Sequence, residues 1–420
     1  MAKQIAAIIL AAGKGERMKS EMPKVMHQVS SRPMLGYVLD LVKQAKIRQH
    51  VVVVGFKYQD VRAFLPKATK SVVQKKLLGT ADAVKQALQY FRSFKGTMVV
   101  LYGDNPLLKP ETIEKLVAHH VDAGAAATLL TAEIDKPAGY GRILRDRYNS
   151  LCGIVEEKDA DDFQKRIKEI NTGIMCFDRQ KLAAGIKQVR PNNAKKEYYL
   201  TDVIDILYRA GEIVETVKAE DVREALGINS RVELAAANKI MQQRIQEQLM
   251  KDGVTIVDPD STFISWGTKI GPDTVIYPFT VIEKNVTIGS RCSVGPFCRL
   301  RPGTCLADNV AVGNFIEISR SRLSSGARAK HFGFIGDATL GHSVNIGAGT
   351  VTANYDGKNK NPTVIRDNAF IGSDTVLVAP IIVGRGARTG AGSVVTRGRN
   401  VPDKATVVGV PAKVVQPKKR

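Results

Sequence analysis

Every sixth residue from Ile264 to Ile318 is aliphatic: Ile264, Ile270, Ile276, Ile282, Ile288, Val294, Leu300, Leu306, Val312 and Ile318. The phase then slips and returns at Ile335, Leu340 and Ile346, and again at Ile371, Leu377, Val383, Val395 and Val401. A period of six fits neither the 3.6-residue turn of a helix nor a heptad. It specifies a parallel β-helix, in which each short strand adds one aliphatic rung to a stacked core. Three strands make a coil, so residues 264–400 account for roughly seven coils. The repeat fills only the C-terminal part of the 420 residues, so a second module of different design must precede it.

In that first module the apolar run within residues 4–10, Val51–Val54 and Met98–Leu101 reads as short strands buried on both faces. Helix-like segments fall at 34–46, 80–92 and 111–122. Such alternation predicts a mostly parallel sheet with helices on both faces, and ligands beyond the carboxyl ends of its strands. The opening MAKQIAAIILAAG is too short and too quickly followed by Lys14-Gly15-Glu16-Arg17 for a signal peptide, and reads as the first strand. Ser230 and Glu233 have capping-box spacing ahead of good helix formers from Arg231 to about Lys251, a helical spacer. The expected division is 1–229 for the first module, 230–252 for a linker helix and 253–420 for the β-helix.

No stretch approaches the ~18 apolar residues of a membrane span. Five cysteines without a CxxC pair suit reduced thiols in a cytoplasmic protein. The net charge of +21 raises nucleic acid as a partner, yet it is spread: residues 251–420 hold 22 Lys and Arg against 12 Asp and Glu, and the remaining +11 lies in residues 1–250. Without an Arg-rich arm or aromatic interleaving, a general positive field that attracts polyanionic small substrates is sufficient.

The loop after the first strand reads Leu10-Ala11-Ala12-Gly13-Lys14-Gly15-Glu16-Arg17-Met18, followed by Pro23-Lys24. Glycines let backbone N–H groups approach phosphate oxygens, and Arg17 and Lys24 add fixed positive charge. It is not a GxxxxGK[ST] loop. Asp104, in Tyr102-Gly103-Asp104 directly after a strand, can hold Mg²⁺ together with substrate phosphates; a turn or helix cap is the plainer role for a single Asp there.

These strings resemble the sugar-1-phosphate nucleotidylyltransferases. Further strings are Leu78-Gly79-Thr80, Gly139-Tyr140-Gly141-Arg142, Ile154-Val155-Glu156-Glu157-Lys158, Ile170-Asn171-Thr172-Gly173, Glu197-Tyr198-Tyr199-Leu200-Thr201-Asp202 and Gly227-Ile228-Asn229. With the hexapeptide module behind them, they resemble the bifunctional N-acetylglucosamine-1-phosphate uridylyltransferase/glucosamine-1-phosphate acetyltransferases of bacterial cell-wall precursor synthesis. The resemblance implies a Rossmann-like nucleotidyltransferase domain joined to a left-handed β-helix that trimerises. It implies Ala12, Gly13, Gln74, Gly79 and Thr80 around the uridine nucleotide of UTP, and Gly141, Glu156 and Asn171 around N-acetylglucosamine. It implies Asp104 and Asn229 on Mg²⁺, with Arg17 and Lys24 facing phosphates as the sugar phosphate attacks the α-phosphorus.

In the β-helix the resemblance assigns His331 as the base that takes a proton from the amine of glucosamine-1-phosphate as it attacks acetyl-CoA, a role suited to an imidazole. On residue type alone, His331 and His342 are ordinary solvated histidines. The resemblance places Arg301, Asn345, Asn354 and Tyr355 on the sugar phosphate, and Ala348, Ser373 and Ala391 on acetyl-CoA. The polar run Thr352–Asn361 breaks the period and is expected to project as a loop. Two positions depart from the family pattern: Ser319 stands where a phosphate-binding Lys is usual, and Phe334 where a Tyr is usual. Arg320 or Arg322 are the nearby cations, although a one-residue shift along a strand reverses the face. The β-helix also reads as one or two coils short before Arg299, with a brief tail ending in PKKR. These departures leave open a catalytically silent trimerisation scaffold behind a single nucleotidylyltransferase activity; because Gly141, Glu156 and Asn171 argue for N-acetylglucosamine only through the resemblance, another hexose-1-phosphate or another nucleotide also stays open.

Overall fold

A computed structural model describes residues 4–225 and 227–415. The tail residues Pro417–Arg420 lie outside the described residues. The chain divides into two compact units, Met1–Asn238 and Lys239–Arg420.

In the first unit, the main path of the sheet runs Val214–Lys218, Ala127–Glu133, Glu169–Asp178, Gly96–Tyr102, Gln4–Ala11, Gln49–Val54, Lys70–Val73. Pairings along it are parallel except on either side of Glu169–Asp178, which runs antiparallel to both neighbours. The expected mostly parallel sheet is present, with that one strand reversed. The first strand shows why its sequence is apolar throughout. Ala6, Ile8 and Leu10 enter one core with the helices Thr80–Leu88, Arg179–Gln188 and Asp202–Arg209. Ala7, Ile9 and Ala11 enter the core on the opposite face, with Met34–Gln44 and Pro110–Asp122. A strand covered on both faces has no position for a polar residue.

The predicted helix start at Ser230 is present: the Glu233 N–H donates to Ser230 Oγ at 3.3 Å. The return bond of the capping box goes one residue further back, the Asn229 N–H donating to Glu233 Oε2 at 2.6 Å. The helix Arg231–Lys251 contributes its first turns to the first unit, where Ser30 N–H donates to Asn238 Oδ1 at 2.7 Å. The remainder belongs to the second unit, where Gln242 both donates to and accepts from the Ile264 backbone at 2.8 Å.

In the second unit, a left-handed parallel β-helix, the described strands form three parallel sheets of ten, eight and seven strands; only the last pairing of the ten-stranded sheet is antiparallel. The ten aliphatic rungs from Ile264 to Ile318 are all buried, and all belong to one continuous core. Truncating one such rung to Ala costs about 2–5 kcal/mol. Where the phase slips, one corner is shorter: Ile318 and Leu323 are five residues apart, as are Ile335 and Leu340, and all four are buried. At these corners Arg320 (φ 48°) and Asp337 (φ 51°) take the left-handed conformation. The polar interruption forms a small projecting loop closed by an antiparallel bridge between Tyr355 and Lys360.

Candidate functional site

The strand Gln4–Ala11 lies centrally in its sheet, and its carboxyl end carries the glycine loop. Ala12 is nearly buried, and its carbonyl accepts the Phe56 N–H at 2.9 Å. A Cβ at Gly13 would meet nothing within 4 Å, so this backbone faces open space. Gly15 has φ +70°, and a Cβ there would stand 2.7 Å from Lys24 Cβ. A side chain at 15 would therefore push away the Lys24 stem, which lies along the loop and aims its ammonium at Asp104 Oδ2. The same ammonium donates to Asn229 Oδ1 at 2.6 Å. Asn229 is oriented for this because its Nδ2 donates to the Gly227 carbonyl at 3.0 Å, which turns Oδ1 toward the cation.

Three segments far apart in sequence thus converge on one positive charge. Two oxygen donors, one carboxylate and one amide, meet a cationic nitrogen, and this donor set suits a hard divalent ion. Among the described residues no cluster of three or more His, Cys, Asp and Glu competes as a metal centre. Arg17 approaches the adjacent turn, with an NH1 3.8 Å from where a Gly139 Cβ would be. Burial pushes the neighbouring Tyr140 phenol up, Glu233 and Asp104 add to that, and Arg17 opposes it.

The next wall is built on Gln74, which is buried. Its Nε2 donates to the Gly79 carbonyl at 3.0 Å and to Asp82 Oδ2 at 2.8 Å. With both amide hydrogens engaged inside the protein, the carbonyl oxygen is the group this side chain can offer a ligand. Gly79 has φ +112°, and a Cβ there would lie 2.5 Å from the Tyr198 carbonyl. Thr80 opens the helix Thr80–Leu88, and its Oγ1 accepts the Leu200 N–H at 2.9 Å.

Gly141, Glu156 and Asn171 also come together. Gly141 pairs with Asn171 across antiparallel strands, and a Gly141 Cβ would be 3.5 Å from Glu156 Oε2 and 3.6 Å from Asn171 Cβ. The Glu156 carboxyl is pushed up by burial and accepts from Thr201 Oγ1 at 3.3 Å. Asp202 is pushed up to about 6, first by burial and then by Glu156, Asp205 and Asp159. Thr201 and Asp202 are participants that residue-type reasoning left without roles, and Glu233 was read only as a capping-box partner of Ser230. Thr201 and Asp202 sit in the string Glu197-Tyr198-Tyr199-Leu200-Thr201-Asp202, which had no charge logic until the fold brought them beside Glu156.

In the solenoid, His331, Ala348, Ser373 and Ala391 occupy the same corner of successive coils. The Gly349 N–H donates to the Phe332 carbonyl, that of Asp374 to Ala348, and that of Gly392 to Ser373, at 2.6–2.8 Å. His331 is exposed there. Asn345 lies on the strand leading to this corner, in the ten-stranded sheet, paired with Arg328 and Phe370. Phe334 lies beyond the corner, in the eight-stranded sheet, beside Glu317 of the preceding coil.

At the far end of that sheet stand Arg301, whose NH1 donates to Glu317 Oε1 at 2.7 Å, and Asn354, whose Nδ2 donates to Asp337 Oδ2. The expected residues therefore form two groups at opposite ends of the eight-stranded sheet, not one knot. Tyr355 is exposed on its loop, and its hydroxyl donates to the Gly357 carbonyl at 2.6 Å. That loop is organised by Asp356, whose carboxyl is held well below the usual range by the Asn359 N–H, then by Asn361 and Lys358, with Arg397 donating at 3.0 Å. Asp356, Arg397, Glu317 and Asp337 escaped the sequence reading; the phase slip at Asp337 was the visible trace of one of them.

Ser319 is fully buried, and its hydroxyl accepts from Arg320 NH1 at 2.7 Å. The concern that Arg320 faces the wrong way does not apply. The strand ends at Ser319, and the left-handed corner turns the Arg320 guanidinium back over it.

Residues 7–169 match the MobA-like NTP transferase domain family, and residues 267–302 and 362–397 match the bacterial transferase hexapeptide (six repeats) family. The chain is 45% identical to the bifunctional protein GlmU of Desulfitobacterium hafniense (strain DSM 10664 / DCB-2), over 94% of each chain. It is 46% identical to the bifunctional protein GlmU of Heliobacterium modesticaldum, over 96% of this chain and 94% of that one. For the bifunctional protein GlmU of Lactococcus lactis subsp. lactis the identity is 45%, over 96% and 95%.

Proposed function

The chain belongs to the family of bifunctional GlmU proteins, and on that premise we propose that it makes UDP-N-acetylglucosamine in two steps. Acetyl-CoA acetylates the amine of glucosamine-1-phosphate in the β-helix. The resulting N-acetylglucosamine-1-phosphate then attacks the α-phosphorus of UTP in the first unit and releases pyrophosphate. The observation that carries this reading is the convergence of Lys24, Asp104 and Asn229 beside a glycine loop open to solvent at Gly13, in a chain whose other unit is a hexapeptide solenoid.

In uridylyl transfer the protein's task is positioning and charge neutralisation. Ala12 and Gly13 offer backbone to the nucleotide. Gln74 presents a carbonyl oxygen that suits the N–H of a uracil ring, and the Gly79–Thr80 turn closes the same wall. Gly141, Glu156 and Asn171 hold the sugar, while Arg17 and Lys24 carry the phosphates. Asp104 and Asn229 would hold Mg²⁺, which would supply positive charge toward the phosphates. Lys24 then has the incoming phosphates as its alternative partners.

In acetyl transfer, the glucosamine nitrogen forms a bond to the thioester carbon, His331 takes the amine proton, and the C–S bond breaks to release the CoA thiolate. Arg301, Asn345, Asn354 and Tyr355 hold the amino-sugar phosphate. Ala348, Ser373 and Ala391 line the acetyl-CoA corner. Because the two groups lie apart in one copy, the reading includes a homotrimer built through the β-helix. It also includes the division into residues 1–229, 230–252 and 253–420. A cytoplasmic setting suits the five free cysteines.

Acetyl-CoA-dependent thiol release with glucosamine-1-phosphate, lost in His331→Ala while UTP-dependent pyrophosphate release persists, is the expected result. Ser319 and Phe334 favour the rival of a silent scaffold. Native pyrophosphate release without any thiol release would leave that rival, or an acetyltransferase with another acceptor.

A further inference from the structure

Where the family resemblance expects a phosphate-binding Lys and a Tyr, this chain has a fully buried Ser319 and a Phe334 without a hydroxyl. We infer that Arg320 supplies the missing cation and binds the acceptor's phosphate beside Arg301. This inference rests on the acetyltransferase reading of the solenoid. It starts from the phase slip: the corner between Ile318 and Leu323 is one residue shorter than the prevailing six-residue step, and Arg320 occupies that corner with φ 48°. The tight turn folds its side chain back so that NH1 donates to Ser319 Oγ at 2.7 Å. The positive charge therefore stands over the position that Ser319 leaves neutral.

Asp337, at the equivalent corner one coil on, fixes the guanidinium with two further bonds, from Nε at 2.6 Å and NH2 at 2.8 Å. It also accepts from Asn354, which ties the cation to an expected sugar contact. The Arg301-Pro302-Gly303 turn lies directly below: a Cβ on Gly303 would be 3.3 Å from Arg320 Cα, and the Arg320 N–H donates to the Pro302 carbonyl at 3.3 Å. Arg301, Arg320 and Asn354 thus share one corner.

Three of the five guanidinium N–H groups are engaged with Ser319 and Asp337. One N–H on NH1 and one on NH2 remain as donors for phosphate oxygens. Arg322 does not serve, because its strand partners, Cys305 and Thr339, place it in the next sheet.

The test measures glucosamine-1-phosphate binding by calorimetry, and acetyl transfer to glucosamine-1-phosphate and to unphosphorylated glucosamine, on the full chain. Arg320→Ala is expected to raise both Kd and KM for the phosphorylated sugar roughly ten- to hundredfold, the usual weight of a charge-assisted bond. The KM values for glucosamine and acetyl-CoA should stay within about twofold, as befits a contact confined to phosphate. Arg320→Lys should keep part of the affinity, and Ser319→Lys placed in the Arg320→Ala background should restore it. An unchanged Kd in Arg320→Ala, or an equal loss for both sugars, overturns the assignment. If native chain binds glucosamine-1-phosphate through Arg320 but releases no thiol, the acetyltransferase reading fails and the phosphate site stands. If it turns over without dependence on Arg320, the reverse holds.

Discussion

The two units place chemistry by opposite means. In the first, Lys24, Asp104 and Asn229 are 80 and 125 residues apart, and they meet because the loops after the neighbouring strands Gln4–Ala11 and Gly96–Tyr102 leave the sheet at one end and the segment ahead of the helix Arg231–Lys251 reaches them. In the second, His331, Ala348, Ser373 and Ala391 follow one another at steps of 17, 25 and 18 residues, the longest taking in the projecting loop, and share a corner because each coil repeats the register of the last. A loop-built site depends on a few backbone positions with no tolerance for a side chain. A register-built site depends on counting. Local damage should therefore act sharply and separately in the first unit, and more gradually in the second.

The most severe test of that separation is Asp104→Ala. It is expected to lower uridylyl transfer on the order of a thousandfold or more, by removing charge placed for the reacting phosphates. Acetyl transfer should be untouched, and a parallel fall in both would end the case for independent sites. His331→Ala is the converse, with acetyl transfer down at least about a hundredfold and pyrophosphate release at the native rate. Gly79→Ala follows. Its Cβ would lie 2.5 Å from the Tyr198 carbonyl at φ +112°, which costs about 1–3 kcal/mol. Thermal unfolding should show the first unit melting several degrees lower while the β-helix transition stays in place. Asp356→Ala, which frees the projecting loop from Arg397, should raise the acceptor KM only a few-fold, by loss of pre-organisation.

The smallest expected effect concerns pH. An acid whose folded pKa is raised, as for Asp202 from 3.8 to about 6, favours the folded state fully below the lower value. That contribution is lost as pH rises through the upper value. Asp202→Asn should therefore flatten the melting temperature of the first unit between about pH 4 and 6 and raise it near neutrality. A variant that tracks the native pH curve would show that the carboxyl is not strained by its surroundings.

The sequence made the β-helix legible in detail because its signal is a simple integer period that no tertiary contact has to supply. The parallel half of the first sheet was legible from two-sided apolar runs such as Val51–Val54. The reversal of Glu169–Asp178 was not, since strand direction leaves no mark on residue type. The candidate residues Gly13, Lys24 and Asp104 carried their own chemical logic. Glu233 did not: its carboxylate serves the Asn229 N–H instead of closing the expected capping box. The strand-parity argument does not govern Arg320, because the strand ends at Ser319 and the chain turns there. Asp337 and Arg397 act only through partners 17 and 41 residues away, distances at which pattern reading has little purchase.

The shared register of the coils has a consequence for how such a chain can change length. It behaves as a screw thread: Arg299 lies eighteen residues from its partner Glu317, and Glu317 seventeen from Phe334. Removing one full pitch upstream of Arg299 returns the thread to the same angle, and every corner beyond it keeps its neighbours. Removing half a pitch turns the whole downstream face away from its partners. Genetic drift in this unit is therefore quantised. Whole turns come and go without notice at the corner that carries His331, and fractions of a turn are eliminated unless, as between Ile318 and Leu323 and between Ile335 and Leu340, a single corner is itself shortened.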